Sequence, residues 1–130
     1  MSDLVTKKEK LKNAVQRLDE AVEYYKESPN DIKRDGAIQR FEFCAELSWK
    51  TIRLYLIDQG FLDVKGPKSV LREAYSYDII DDEDVWIAIL DDRNLTSHVY
   101  DEKTADEIFQ RIKNDYLPVF KKLSEFLSEE

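Results

Sequence analysis

The stretch that decides the fold is Asp35–Gln59, which reads DGAIQRFEFCAELSWKTIRLYLIDQ. Its mostly apolar positions recur every three or four residues, a spacing that predicts an amphipathic helix. This stripe consists of Ile38, Phe41, Ala45, Ser48, Ile52 and Tyr55, and further apolar residues lie off it at Phe43, Leu47, Leu54 and Ile57. A helix that is apolar on more than one side packs against several neighbours, so this segment is predicted to be the central helix of a bundle.

Amphipathic patterns of the same period lie on both sides of the central helix. They predict four more helices, over residues 3–27, 67–75, from about 82 past 93, and 102–127. Asp81 or Asp82 and Asp101 are predicted to cap the last two helices at their N-termini. Pro118 is expected to kink or interrupt the final helix, because its ring removes a donor and clashes one turn back. The chain is therefore predicted to be all-α, an up-and-down antiparallel four-helix bundle with an additional short helix.

The composition predicts one helical domain covering residues 1–130. Apolar residues make up 42% of the chain and charged residues 37%. No apolar run approaches the ~20 residues of a membrane-spanning helix, and the N-terminus lacks the apolar stretch of a signal peptide. Cys44 is the single cysteine and is expected to be a small core residue. We expect a cytoplasmic protein without membrane contact.

The formal net charge of −8 argues against a general nucleic-acid binder, whose surface is usually basic. RNA contact would need a local basic pocket. An acidic surface also suits a basic protein partner, although it serves solubility equally well.

The segment Arg93–Tyr100 reads RNLTSHVY and contains the only histidine of the chain. Histidine is the side-chain type whose unperturbed pKa, about 6.5, lies close to neutral pH, and Arg93 is a planar cation suited to phosphate. A phosphate-binding cation beside a proton-transfer group suits phosphodiester chemistry. On a straight helix these two side chains would be about 140° apart. They converge only if the helix ends before His98 or if a second chain supplies the partner. Ser97 shares the helix face of Arg93 and is a weaker substrate-binding candidate.

The spacing Arg-x4-His-x-Tyr resembles the motif of the HEPN superfamily (higher eukaryotes and prokaryotes nucleotide-binding). One branch, the nucleotidyltransferase substrate-binding proteins, is similar over longer runs, at 35–43 with 49–50, 66–74 and 86–100. The resemblance covers most of residues 35–110. It implies the same bundle and a homodimer in which two motifs face each other across a cleft. It also implies a separate minimal nucleotidyltransferase as partner, because this chain carries no Gly-Ser followed by a paired Asp-x-Asp.

The resemblance implies a toxin-type ribonuclease that cleaves RNA without a metal ion. In that role Arg93 would hold the scissile phosphate, His98 would act as general acid or base, and Asn94 would orient the pocket. In some two-component toxin–antitoxin systems of this superfamily, the partner transferase attaches adenylate groups to the motif tyrosine. Tyr100 occupies that position, so its adenylation would block the cleft and neutralise Arg93.

The branch name implies a second activity, that of a non-catalytic subunit that binds nucleotide for the partner transferase. In this role Arg93, His98 and Lys50 would bind a phosphate, and Trp49 or Tyr100 would stack on a base. The same residues serve both activities, so both stay open, and a scaffold or antitoxin-like role is a third. The implied ligand is RNA or a nucleotide, and not DNA.

A purely structural role for the motif is also open. Arg93 would then pair with Asp91, Asp92 or Asp101, and His98 would cap a helix end. Surface ion pairs of this kind are common and contribute only ~0–1 kcal/mol.

Two other kinds of site are not expected. Glu42 and Glu46 form an i, i+4 pair, which is predicted to bind Arg40, Lys50 or a basic residue of another helix or chain. One histidine and one buried cysteine do not make a zinc site, and we find no cofactor fingerprint. We therefore expect neither a metal nor a cofactor.

Overall fold

A computed structural model describes residues 2–61, 64–98 and 101–130. Its helices are α1 (Ser2–Glu27), α2 (Asp31–Asp58), α3 (Pro67–Ser76), α4 (Glu83–Thr96), α5 (Glu102–Arg111) and α6 (Leu117–Ser128), with a π-helical turn (Ile112–Tyr116) between the last two. The segments α1, α2, α4 and α5–α6 form the up-and-down bundle, and α3 is the additional short helix. The predicted all-α class is confirmed. Among the described residues, no helix combines the length and apolar character needed to cross a bilayer.

Helix α2 is the central helix, as predicted, and it contacts each of the other helices. Phe41 and Ile52 on its stripe are fully buried, and the Phe41 ring stacks on Tyr116 with centroids 5.5 Å apart. Cys44 is buried in the same core, and this burial raises the pKa of its thiol to about 12. Off the stripe Leu47 is buried, but Phe43 is 56% exposed. This exposed phenylalanine lies beside the site described below.

The start of α2 differs from the predicted one. The sequence pattern placed it near Asp35, whereas the helix begins at Asp31. Asn30 caps it, because the Asn30 side-chain oxygen accepts a hydrogen bond from the Lys33 N–H at 2.9 Å. The first turn was missed because it carries no apolar stripe: Ile32 is 84% exposed.

The helices on either side of the motif begin at capping aspartates, as predicted. The Asp82 carboxylate accepts from the Val85 N–H at 3.2 Å, and the Asp101 carboxylate accepts from the Thr104 N–H at 2.8 Å. Because α4 ends at Thr96 and α5 begins at Glu102, the motif lies at the junction of these helices.

The last helix changes its hydrogen bonding just before Pro118, where an interruption was expected. The Leu117 N–H donates to the Ile112 carbonyl, five residues back, so the turn is wider than an α-helical turn. The proline cannot donate, and its ring would crowd the carbonyl one turn back in a regular α-helix. The wider turn accommodates the ring and the chain continues into α6.

Candidate functional site

The site is built on the C-terminal end of α4. The Ser97 N–H donates to the Asn94 carbonyl at 3.3 Å, and the His98 N–H donates to the Leu95 carbonyl at 3.1 Å. These short-range bonds tighten the chain as the helix ends at Thr96. His98 therefore follows the helix and is exposed. The separation of about 140° that a straight helix would impose on Arg93 and His98 does not apply here.

Arg93 faces two glutamates of the central helix. Its Nη1 lies 3.9 Å from Glu42 Oε2, and its Nε lies 3.8 Å from Glu46 Oε1. Both distances exceed the roughly 3.2 Å upper limit of a good N–H···O hydrogen bond. Arg93 Nε is buried and has no hydrogen-bond partner among residues 2–61, 64–98 and 101–130. The guanidinium is thus attracted to both glutamates by charge without donating a hydrogen bond to either of them.

The two glutamates are themselves held by neighbours. Glu42 Oε2 accepts a hydrogen bond from Thr96 Oγ1 at 2.7 Å, which joins α2 to the end of α4. Glu46 Oε2 lies 3.4 Å from Lys50 Nζ, one turn along α2. As predicted for this pair, the partners are basic residues: Lys50 on the same helix and, at 3.8–3.9 Å, Arg93 on α4. The contacts with Thr96 and Lys50 explain why Glu42 and Glu46 do not close onto Arg93.

The space in front of Arg93 is an open groove of about 500 Å³. Its lining consists of Gln39, Arg40, Glu42, Phe43, Glu46 and Arg93. Two arginines face two glutamates, so the groove is neutral on a chain of net charge −8. Within the described part of the chain, no carboxylate lies within 4.0 Å of the exposed Arg40 guanidinium. Sequence reasoning had not assigned Gln39, Arg40 or Phe43 to a site, although the off-stripe position of Phe43 was a signal.

Of the remaining predicted residues that the structure describes, none lines the groove. Asn94 and Ser97 are exposed, and Ser97 Oγ donates to the Asn94 carbonyl at 2.7 Å. Lys50 reaches the site through Glu46, whereas Trp49 is partly buried against the core. Tyr100 lies outside the described residues.

A partly buried polar cluster surrounds Asp92, the residue before Arg93. The Asp92 carboxylate accepts two hydrogen bonds from Arg111, at 2.7 and 2.9 Å, and one from the Tyr116 hydroxyl. Arg93 therefore does not pair with Asp92, which is one of the three aspartates that the structural alternative named. Burial, together with the bond to Asp92, raises the pKa of Tyr116, and the same carboxylate raises the pKa of Arg111. This cluster was not predicted.

A larger cleft, of about 610 Å³, lies between the start of α4 and the last helix. Its walls are largely apolar and include Trp86, Val119 and Phe126. Arg111 lines this cleft but is occupied by Asp92, and Arg93 lines the groove and not the cleft. His98 lines neither of them. The smaller groove is therefore the better candidate for phosphate chemistry.

Comparison with known proteins places these features in context. A curated relative from Haemophilus influenzae, named probable ribonuclease HepT, is 41% identical over 86 residues. The matched stretch is 63% of this chain and 58% of that protein, so the chain spans less than two thirds of that relative's length.

Two solved structures share the fold over nearly their whole length. A Thermus thermophilus protein has a TM-score of 0.81 and 34% identity, with 90% of this chain and 98% of that chain covered. A Haemophilus influenzae protein, described as revealing the fold of a substrate binding domain of a nucleotidyltransferase, has a TM-score of 0.78 and 32% identity, with 93% and 98% covered. A family model described as nucleotidyltransferase substrate binding protein like matches residues 6–129. Because this match covers nearly the whole chain, the protein belongs to the nucleotidyltransferase substrate binding protein like family.

Proposed function

We propose that this chain is the HEPN-type subunit of a two-component system whose second chain is a minimal nucleotidyltransferase. Within that system it acts as a toxin-type, metal-independent endoribonuclease that adenylation of Tyr100 silences. One observation carries the proposal. Arg93 projects into an open groove with its donors beyond hydrogen-bonding distance of Glu42 and Glu46, so the guanidinium is available to a phosphate.

The reaction is attack of an RNA 2′-hydroxyl on the adjacent phosphorus. The bond from the 2′-oxygen to phosphorus forms, the bond to the 5′-oxygen breaks, and the products are a 2′,3′-cyclic phosphate and a 5′-hydroxyl. His98 takes the proton of the 2′-hydroxyl or protonates the leaving 5′-oxygen, a contribution of ~10²–10⁴-fold. Arg93 stabilises the charge that develops on the non-bridging oxygens. Asn94, the next residue on α4, orients the pocket.

The proposed control by Tyr100 rests on its place two residues after His98 in the motif. An adenylate group there would bring a phosphate next to Arg93. The added negative charge would occupy the guanidinium that the RNA phosphate requires. The modified chain would then bind and cleave RNA poorly.

A homodimer is part of the proposal. Phe43 lines the groove and is 56% exposed, and Leu95, on the helix that carries Arg93, is 39% exposed. Large exposed apolar side chains beside a polar groove are typical of a protein interface. A two-fold dimer formed over this face would bring two motifs together.

The test is RNA cleavage by the purified protein in EDTA, with its intact mass checked for adenylate. We expect the wild type to release 2′,3′-cyclic phosphate ends, and His98→Ala to lose at least ~100-fold of the rate because proton transfer is lost. Arg93→Ala should lose activity for lack of charge stabilisation. Arg72→Ala, which removes an exposed arginine of α3, is the matched control and should cleave normally. A His98→Ala variant as active as the wild type would refute the assignment.

The second candidate is a non-catalytic subunit that binds nucleotide or another substrate for the partner transferase. The description of the Haemophilus influenzae structure as a substrate binding domain favours it, as does the acidic net charge of this chain. Under this alternative, unmodified wild type leaves RNA intact in the same assay. It binds nucleotide instead, measured by calorimetry in the presence of the transferase, and Arg93→Ala weakens that binding.

A further inference from the structure

The last two turns of α4 are held by polar contacts rather than apolar packing. Trp86, Ile89 and Leu90 are buried in the first part of the helix. Beyond Leu90, the buried residues of α4 are Asp92 and Thr96. The direction of Arg93, which lies between these two, therefore depends on what holds their polar groups.

Asp92 and Thr96 are anchored to different helices. Thr96 Oγ1 donates to Glu42 on α2, at 2.7 Å. Asp92 receives a two-pronged bond from Arg111 at the end of α5 and a third bond from Tyr116 in the π-helical turn. A carboxylate that accepts a bidentate arginine bond is fixed in orientation as well as position. The end of α4 is thus clamped on two sides, with Arg93 between them.

The π-helical turn is what allows Arg111 and Tyr116 to reach the same carboxylate. These residues are five apart, and in a regular α-helix at 100° per residue they would lie about 140° apart. In the wider turn, residue i bonds residue i+5, so positions five apart lie one above the other. The hydrogen bond from the Leu117 N–H to the Ile112 carbonyl shows this wider geometry.

We propose that Asp92, held by Arg111 and Tyr116, is a positioning residue that aims the Arg93 guanidinium into the groove. The π-helical turn is the part of the fold that brings Arg111 and Tyr116 together on the Asp92 carboxylate. The geometric part stands on the contacts above, and its catalytic consequence rests on the proposed function. Without the clamp, the end of α4 rotates or frays, and Arg93 loses its fixed place between Glu42 and Glu46.

The direct test is side-chain NMR of the seven arginines, with the Arg93 Nε–Hε signal assigned from its loss in Arg93→Lys. Because Arg93 Nε is buried, its proton should exchange slowly with water in the wild type. Asp92→Asn keeps the shape of the side chain but removes the charge that Arg111 binds. We expect it to move the Arg93 signal and speed its exchange by about 10-fold or more, the effect of losing a bond to a charged group.

Two companion variants keep this test decisive. Asp106→Asn changes a carboxylate that binds a different buried arginine, Arg34, at 2.9 Å. This control should shift the Arg34 signal and leave the Arg93 signal unchanged. Tyr116→Phe removes one of the bonds to Asp92 and keeps the ring, so it should show a smaller change of the same kind if Asp92→Asn is too unstable to study. An unchanged Arg93 signal in Asp92→Asn, or in Tyr116→Phe when only that variant folds, would overturn the proposal.

RNA cleavage assays distinguish the positioning of Arg93 from a general destabilisation of the fold. In the wild-type background Asp92→Asn should lower RNA cleavage about 10–100-fold, as misplacement of a binding group does. In the Arg93→Lys background, which lacks the guanidinium, the same change should cost little more. An equal loss in both backgrounds would contradict action through Arg93. If the wild type does not cleave RNA, the proposed function fails while the NMR result still decides the positioning role.

Discussion

At the scale of single residues, Arg93 differs from Arg34 and Arg111 in the hydrogen bonds that its guanidinium donates. Arg34 and Arg111 each donate hydrogen bonds of 2.7–3.1 Å to carboxylates. Arg93 stays 3.8–3.9 Å from its carboxylates. A guanidinium that donates to neither neighbouring glutamate is equipped for a ligand, whereas those of Arg34 and Arg111 are equipped to join helices.

Tyr100 supports a prediction at the same scale. Incubation with the partner nucleotidyltransferase and ATP should add adenylate mass to the wild type, because the phenol oxygen is the proposed acceptor. Tyr100→Phe lacks that oxygen and should gain no mass and keep the proposed ribonuclease activity. Intact-mass spectrometry and the cleavage assay measure the two effects. Tyr77→Phe, at an exposed tyrosine, should behave as the wild type. A Tyr100→Phe variant that still gains adenylate would identify another acceptor.

The residues of the motif could be predicted from the sequence, but their contacts could not. Arg93, Asn94 and His98 lie within six positions, so their order and spacing were visible. Asp92 and Arg111 are nineteen residues apart and meet only when α4 packs against the last helix. The spacing of apolar residues within one helix contains no information on which polar groups meet across helices.

At the scale of elements, the N-caps of the helices and the position of the interruption in the last helix could be predicted from local chemistry. Asp82 and Asp101 cap their helices as predicted, because an N-cap depends on a side chain and an N–H two or three residues away. Pro118 was expected to interrupt the last helix. That the chain forms a π-helical turn there depends on the packing around the proline. The four-residue error at the start of α2 arose because its first turn is fixed by polar contacts.

Arg34 supports a prediction at the element scale. It is 3% exposed and joins the start of α2 to the start of α5 through Glu102 and Asp106, at 2.7 and 2.9 Å. Arg34→Ala should lower the free energy of unfolding at pH 7 by about 2 kcal/mol, the scale of hydrogen bonds to a charged group. The loss is smaller than for a wholly buried pair, because both carboxylates are more than half exposed and stay hydrated.

The same prediction has a pH dependence with a definite sign. The hydrogen bond from Arg34 lowers the pKa of Glu102. A carboxyl whose pKa is lowered by folding contributes stability above its unfolded pKa of about 4.3, and that contribution is lost as pH falls through the folded value. Urea unfolding at pH 7 and near pH 3 should therefore show a full difference at pH 7 and a reduced one in acid. Arg72→Ala is the control, and a difference that is unchanged in acid would contradict the prediction.

At the scale of the whole molecule, the charge distribution would limit how the proposed RNA substrate binds. The chain carries a net charge of −8, and the groove itself is neutral. A long strand would be repelled by most of the surface, so binding must concentrate on a few phosphates at the motif. A dimer that places two Arg93 side chains in one cleft would supply the local positive charge that one copy lacks.

The proposed dimer leads to a prediction about which copy supplies each catalytic group. If Arg93 of one copy works with His98 of its partner, a mixed dimer of Arg93→Ala and His98→Ala retains one intact site. If both groups act within one copy, the mixed dimer has none. Co-expression of the two variants with different affinity tags, followed by purification on both, isolates the mixed dimer. With a shared site we expect about half of the wild-type cleavage rate, because a two-fold dimer contains two equivalent sites.

Each variant purified alone as a homodimer is the control and should be inactive, since both of its sites lack the same group. An inactive mixed dimer would place Arg93 and His98 of the same copy in one site. The two side chains could then approach each other because α4 ends at Thr96, so His98 does not follow the geometry of a straight helix. If the mixed dimer is active and both homodimers are inactive, each active site is formed by residues of two chains. Any surface substitution that separates the copies, such as Phe43→Glu beside the groove, should then abolish cleavage while each chain remains folded.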